Sequence, residues 1–173
     1  MFPASMHLHP IVDHFTIALL SAGVACDVAG ALASRLGSTL IQTGALRLQR
    51  SALILMIGGA LAAVVSYFSG DAEANRVWDT MNPAAQALLY SDTSLLAHAT
   101  LGRYLMWTFL VLAAWRIAQE LVPIFSRARI AYLCTALIAT GALLYQGKTG
   151  GELVYDYGVG IAAKAPSAGS SAR

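Results

Sequence analysis

Four long apolar runs, separated by polar connections, set the pattern of the chain. The first opens at Pro10, a residue favoured in the first turn of a helix because its missing N–H has no partner there anyway, and continues to about Ala33. The second covers Ser51 to Phe68, the third runs from about Leu95 to Trp115, and the fourth from Ile130 to Tyr145. A helix needs roughly 20 mostly apolar residues to cross a bilayer, so the pattern predicts an all-α integral membrane protein, a bundle of four transmembrane helices. Residues 1–162 are expected to form one domain. The small, polar stretch 163–173 is expected to be disordered.

Composition agrees. Hydrophobic residues make up 57% of the 173 and charged residues only 12%, about half the charged share of an ordinary soluble domain. A net charge of +2 gives no reason to expect nucleic acid as a partner. The lipid bilayer is the expected one. Ala31-Leu32-Ala33 before Ser34 has the look of a signal cleavage site. However, no Lys or Arg precedes the apolar run and Asp27 interrupts it, so residues 10 to 33 read as a retained helix.

The connections differ in charge. Residues 35 to 50 carry Arg35, Arg47 and Arg50 without an acid, and residues 116 to 129 carry Arg116, Arg127 and Arg129 against Glu120. Residues 69 to 94 carry Asp71, Glu73, Asp79 and Asp92 against Arg76 alone. Basic connections stay cytoplasmic, so a bacterial inner membrane location is expected, multi-pass, with both termini and the acidic connection on the periplasmic side. The mixture of Trp78, Leu88, Leu89 and Tyr90 with acids in that connection suggests a short interfacial helix. Cys26 and Cys134 show no redox or zinc spacing and read as small residues inside the bundle.

The four histidines, His7, His9, His14 and His98, all fall toward the outer end. His14 lies one turn into the first helix, and His98 about one turn into the third, which runs the same way. Two imidazoles at matched depth are what a b-type haem requires as axial ligands, and bundle interiors house such groups. Ala18, Ser21 and Ala25 below His14, and Gly102 after His98, leave room for a flat ring. Close helix packing or bonding to water and backbone accounts for the same residues. His7, His9, Asp13 and His14 offer a copper or zinc alternative, against which stand the place of His9 before Pro10 and its distance of five residues from His14. No histidine follows His98, so a membrane-crossing chain of two bis-histidine haems is not encoded. Arg103 is read as the partner of a haem propionate or quinone-like head group, or else as snorkelling or paired with Asp13. Asp27 is expected to pair with Arg47 or Arg50 or to be protonated.

The opening His9-Pro10-Ile11-Val12-Asp13-His14-Phe15-Thr16-Ile17-Ala18-Leu19 resembles the His-Pro-x-x-Val-His-Phe-Pro-Ile-Ala-Leu signature of a bacterial membrane family, domain of unknown function 2231. Gly150-Gly151-Glu152-Leu153-Val154-Tyr155-Asp156-Tyr157-Gly158-Val159-Gly160 resembles its closing motif, and the likeness spans residues 7 to 161. Asp13 and Thr16 depart from the signature. The resemblance implies a setting beside cytochrome-like redox domains, which is association and not mechanism. The chain after Gly147 is expected to turn at Gly150 and Gly151 and fold back over the outer end.

The leading expectation is therefore a cytochrome b-like protein with one haem b near the outer face. His14 and His98 would be its axial ligands, His9 the substitute and Arg103 the propionate partner. Electrons would pass to a redox or membrane-complex partner, a role that fits an electron-transfer or structural subunit better than a stand-alone enzyme. A non-catalytic anchor subunit of a larger complex is the alternative. A transporter is disfavoured by the lack of polar groups and prolines at mid-bilayer.

Overall fold

The computed structural model describes residues 8–36 and 39–160. The described residues are helices and short connections: α1 (Leu8–Ala33), α2 (Thr39–Val77), a single 3-10 turn (Trp78–Thr80), α3 (Pro83–Leu89), α4 (His98–Leu121), α5 (Pro123–Ser126) and α6 (Arg129–Tyr155). Of the four long helices, α1 and α2 with its following turn, together with α6, are long and apolar enough to cross a membrane. The fourth, α4, falls short of that measure; it carries Arg103, Arg116 and Glu120 along its 24 residues. Of the four apolar runs, three thus emerge as candidate spans. The stretch 163–173, expected to be disordered, and His7 lie outside the described residues.

The second helix is much longer than its apolar run. At 39 residues and about 1.5 Å per residue it extends roughly 58 Å, well past a hydrocarbon core of about 30 Å. Its surplus turns carry Arg47 and Arg50 at one end and Asp71, Glu73 and Arg76 at the other.

The long helices pack in a closed order. α1 lies against α2 and α6, and α4 lies against the same two. Small residues bring α1 and α2 together. A Cβ on Gly59 would stand 2.6 Å from the Leu20 side chain, and one on Gly30 would stand 2.9 Å from Gln49. Such close approach is how membrane helices gain van der Waals energy when lipid supplies no hydrophobic drive. The interior between the helices is an apolar layer built on Leu20, Val24, Met56, Phe109, Leu112 and Ala136. Large apolar side chains also face outward, among them Phe15, Ile54, Val65, Trp107 and Ile138, as a lipid-exposed surface requires. Cys134 belongs to that exposed surface and Cys26 is half-buried, so neither is a core residue.

The connection between α2 and α4 folds into α3, which starts cleanly. The Asn82 side chain accepts a hydrogen bond from the Ala85 N–H at 2.9 Å, and Pro83 occupies the first turn, both favoured choices at a helix start. The helix does more than lie at an interface: Ala85 and Leu89 pack with Leu153 of α6, so it covers the ends of α4 and α6.

The closing motif departs from expectation. Gly147, Gly150 and Gly151 are helical, and α6 continues to Tyr155. The turn comes later, where Val159 N–H bonds to Leu153 O at 2.9 Å and Gly158 N–H to Val154 O at 3.1 Å. These two bonds span six and four residues, each one more than in a Schellman closure, with Gly158 at φ 67 and Val159 packed on the Leu153 cluster; positive φ there suits glycine.

Candidate functional site

The apolar layer separates two polar regions. One is a cavity of about 550 Å³ bounded by α1, α2, α4 and α6 and roofed by Met81, Leu89 and Tyr90. Its polar walls include His9, Asp13, Ser66, His98, Arg103 and Gln146.

Two histidines meet there, and the pair is His9 with His98. Their ring centroids are 6.2 Å apart and the planes are nearly perpendicular. His9 is half-buried and His98 buried. The helix begins at Leu8, ahead of Pro10, because a proline in the first turn sacrifices no intrahelical bond; His9 is therefore a helical residue aimed inward. His14 lies five residues on, roughly 140° further round the helix at 3.6 residues per turn. It is exposed at the rim, with Nδ1 against its own Pro10 carbonyl. Arg103 is also exposed at the rim, its guanidinium 5.7 Å from the centre of the Tyr104 ring. Asp13 accepts a hydrogen bond from Ser66 Oγ at 3.0 Å. On the roof, the Tyr90 phenol donates to Asp92 at 2.8 Å, a bond that holds its pKa above the ordinary value.

Each facing imidazole is held by its Nδ1. That of His9 lies 3.0 Å from the Ser66 carbonyl and that of His98 lies 3.1 Å from the Gln146 carbonyl. A carbonyl only accepts, so Nδ1 carries a proton, and a ring held this way has its Nε2 lone pair free whenever it is neutral. Metal-ligating histidines are commonly prepared in this way. Among the described residues, no three His, Cys, Asp or Glu side chains converge to hold a metal ion, so the copper or zinc set of Asp13, His9 and His14 is not assembled.

The other polar region, at the opposite end of the apolar layer, is a buried charge cluster. Arg116 Nε donates to both carboxylate oxygens of Asp27 at 3.1 Å, and its Nη2 donates to the Gln49 carbonyl at 3.0 Å. Its Nη1 pairs with Glu120, and Tyr132 Oη donates to Asp27 at 2.8 Å. Asp27 and Arg116 are each 1% exposed. Arg116 is therefore an interior residue and not a loop charge, and the partner of Asp27 is Arg116 in place of Arg47 or Arg50. A second cation, Arg129, stands 3.9 Å from the same carboxylate.

The sequence carries half of this cluster openly: Asp27 interrupts an apolar run and is costly to bury alone, whereas Arg116 stands just past the end of one.

Among comparisons with known proteins, a family model described as predicted membrane protein (DUF2231) matches residues 5–163. No curated protein and no solved structure matches the chain.

Proposed function

We propose that this chain, which belongs to the predicted membrane proteins of domain of unknown function 2231, is a b-type cytochrome-like protein that holds one haem between His9 and His98. The observation that carries the reading is the facing imidazole pair. With about 2 Å from a metal to each ligating nitrogen and half a ring on either side, two axial imidazoles stand roughly 6 Å apart. The His9 and His98 centroids are separated by 6.2 Å.

The residues fit the group in other ways. Two protein ligands are too few for a structural zinc, whereas haem iron needs only an axial pair from the protein. A cavity of about 550 Å³ is in the range that accepts a cofactor-sized molecule. Arg103 stands at the rim, where its guanidinium would meet a propionate. A bound haem supplies a one-electron couple. His9 and His98 would ligate it, the two Nδ1–H bonds would fix the orientation of those rings, and α3 with the Leu153 cluster would keep water out.

Charge supports the orientation. Arg35, Arg47, Arg50, Arg127 and Arg129 gather at the end opposite the cavity, which by the positive-inside rule is cytoplasmic. With α4 as a fourth span, its Arg116 neutralised by Asp27, the fold is a transmembrane four-helix bundle. The histidine cavity opens on the periplasmic side of an inner membrane, where a redox protein partner would exchange electrons with it.

The test is a reduced-minus-oxidised absorption spectrum of detergent-purified protein, wild type and three variants. A low-spin b-type spectrum lost in His9→Ala and His98→Ala, but kept in His14→Ala, is expected. A flat spectrum from wild type made with ample haem would sink the reading and leave a membrane anchor as the better account. Loss in His14→Ala with retention in His9→Ala would move the ligand to His14.

A further inference from the structure

The two histidines are seated alike to a degree that the sequence does not advertise. His9 rests on α2, with Nδ1 at 3.0 Å from the Ser66 carbonyl and 3.5 Å from Ser69 Oγ. His98 rests on α6, with Nδ1 at 3.1 Å from the Gln146 carbonyl and 3.2 Å from Thr149 Oγ1. In both cases the hydroxyl is three residues after the carbonyl and donates its own proton back to it, at 3.0 Å for Ser69 and 2.9 Å for Thr149. In both cases a glycine follows the hydroxyl residue and makes room for the ring. A Cβ on Gly70 would stand 2.7 Å from His9 Cε1, and one on Gly150 would stand 2.8 Å from His98 Cε1.

The correspondence extends beyond the seats. His98 follows His9 by 89 residues, and Arg116 follows Asp27 by the same 89. At that offset the buried positions Thr16, Leu20, Gly23, Val24 and Asp27 of α1 fall on Leu105, Phe109, Leu112, Ala113 and Arg116 of α4, which are buried too. Between α2 and α6 the offset is 80 residues, carrying Ser66, Ser69 and Gly70 onto Gln146, Thr149 and Gly150. The packing order obeys the same relation, since α1 against α2 corresponds to α4 against α6, and α2 against α4 to α6 against α1.

We propose that the chain is two copies of one helical hairpin about a pseudo-two-fold axis. Each copy builds the same histidine seat, and together they turn two unprotonated Nε2 atoms toward one electron-pair-accepting ligand on that axis. The chemistry follows from the donor count. The hydroxyl proton is already committed to the carbonyl, so both groups of each seat can only accept, and Nδ1 must donate. Neither ring then offers a hydrogen toward the cavity while it is neutral. The matched ligand is a Lewis-acidic metal centre that takes one nitrogen from each half, and an anion is not. Ser69, Thr149, Gly70 and Gly150 are positioning residues: they act through the histidines. The inference rests on the proposed haem for the identity of the ligand, but not for the state of the rings.

The experiment is ¹⁵N NMR of the haem-free, full-length chain in detergent micelles, labelled at histidine and assigned with single His→Gln variants, followed by titration with hemin. The Nδ1–H tautomer is expected for both His9 and His98. Gly70→Ala and Gly150→Ala should each weaken hemin binding on the order of tenfold or more, as outer partners of metal-ligating histidines do. Thr149→Val leaves the Gln146 carbonyl as the acceptor for His98 Nδ1 and should keep the Nδ1–H tautomer while shifting the Nδ1 resonance and weakening hemin binding, and Thr149→Ser should restore both. An Nε2–H tautomer, or a mixture of tautomers at either ring, overturns the matched seats. Nδ1–H at both rings with no hemin bound supports the seats and overturns the haem reading. Should the glycine variants fail to fold, the wild-type tautomers and the Thr149 pair decide the matter.

Discussion

Arg116→Met removes a cation from a site with almost no access to water. In the wild type, Asp27 accepts two bonds of 3.1 Å from Arg116 Nε and one of 2.8 Å from Tyr132, and both charged side chains are 1% exposed. In the variant, Asp27 keeps the Tyr132 hydroxyl and has Arg129 only at 3.9 Å. Breaking a buried pair by removing one partner costs about 3–5 kcal/mol, whereas replacing both partners by apolar groups is often close to neutral. Asp27→Leu with Arg116→Met is therefore expected to cost less than Arg116→Met alone. The residual loss of about 1–3 kcal/mol reflects the Tyr132 hydroxyl left without its acceptor. Unfolding in mixed micelles with rising SDS, followed by tryptophan fluorescence, reports on the site directly, because Trp115 packs edge-to-face on Tyr132 at 6.0 Å. A single variant within about 0.5 kcal/mol of wild type, the ordinary scatter of surface changes, would refute the reasoning. So would a double variant as costly as the sum of both singles, since coupled partners do not add.

Three further outcomes are expected. Gly59→Ala drives a methyl into Leu20 and should lower stability by about 1–3 kcal/mol, while Gly58→Ala, where a Cβ meets nothing within 4 Å, should be neutral or mildly stabilising in the same SDS titration. Gly158→Ala forces an L side chain to φ 67 and should cost about 1 kcal/mol, with fraying of the last turn of α6 visible as faster amide exchange at Gly158 and Val159. Asn82→Ala removes the cap of α3 and should cost about 1 kcal/mol, read as increased protease cutting near Met81.

Much of the fold was legible because membrane helices announce themselves by composition. The first and last apolar runs mark α1 and α6 within a few residues at most ends, although α6 runs on through Gly147, Gly150 and Gly151. Those glycines look like a turn in isolation. They are helical because Gly147 lies against Ile17 and Gly150 against His98, contacts that no local pattern contains. That His9, His14, His98 and Arg103 would share one end of the bundle was legible in the sequence; which two imidazoles approach each other was not. Matching His14 to His98 by depth treated Pro10 as the helix start and left His9 outside, yet a proline fits within a first turn as well as at its edge. Arg116 looked like a loop charge because it ends an apolar run, and only its partner 89 residues away makes burial tolerable. Little of the internal duplication is identity, so the sequence alone does not display it. What repeats is a histidine, a hydroxyl, a glycine and the depth of each.

Those repeated positions carry one deliberate mismatch. At the inner end the two halves place an acid and a base at the same address, Asp27 in one and Arg116 in the other. The outer histidines are alike and the inner charges are opposite, so the ion pair tells the halves apart while the imidazoles treat them as equals. Along α1, His9 and Asp27 are separated by roughly 27 Å at 1.5 Å per residue, with the apolar layer between them. A transmembrane voltage acts on charge moved across its gradient, about 2.3 kcal/mol per elementary charge per 100 mV. The ion pair carries no net charge to move, and the imidazoles sit at the very start of their helices, near the edge of the gradient. An electron arriving at the histidines would cross almost none of it. The midpoint potential of such a centre should therefore stay nearly constant as a vesicle membrane is polarised.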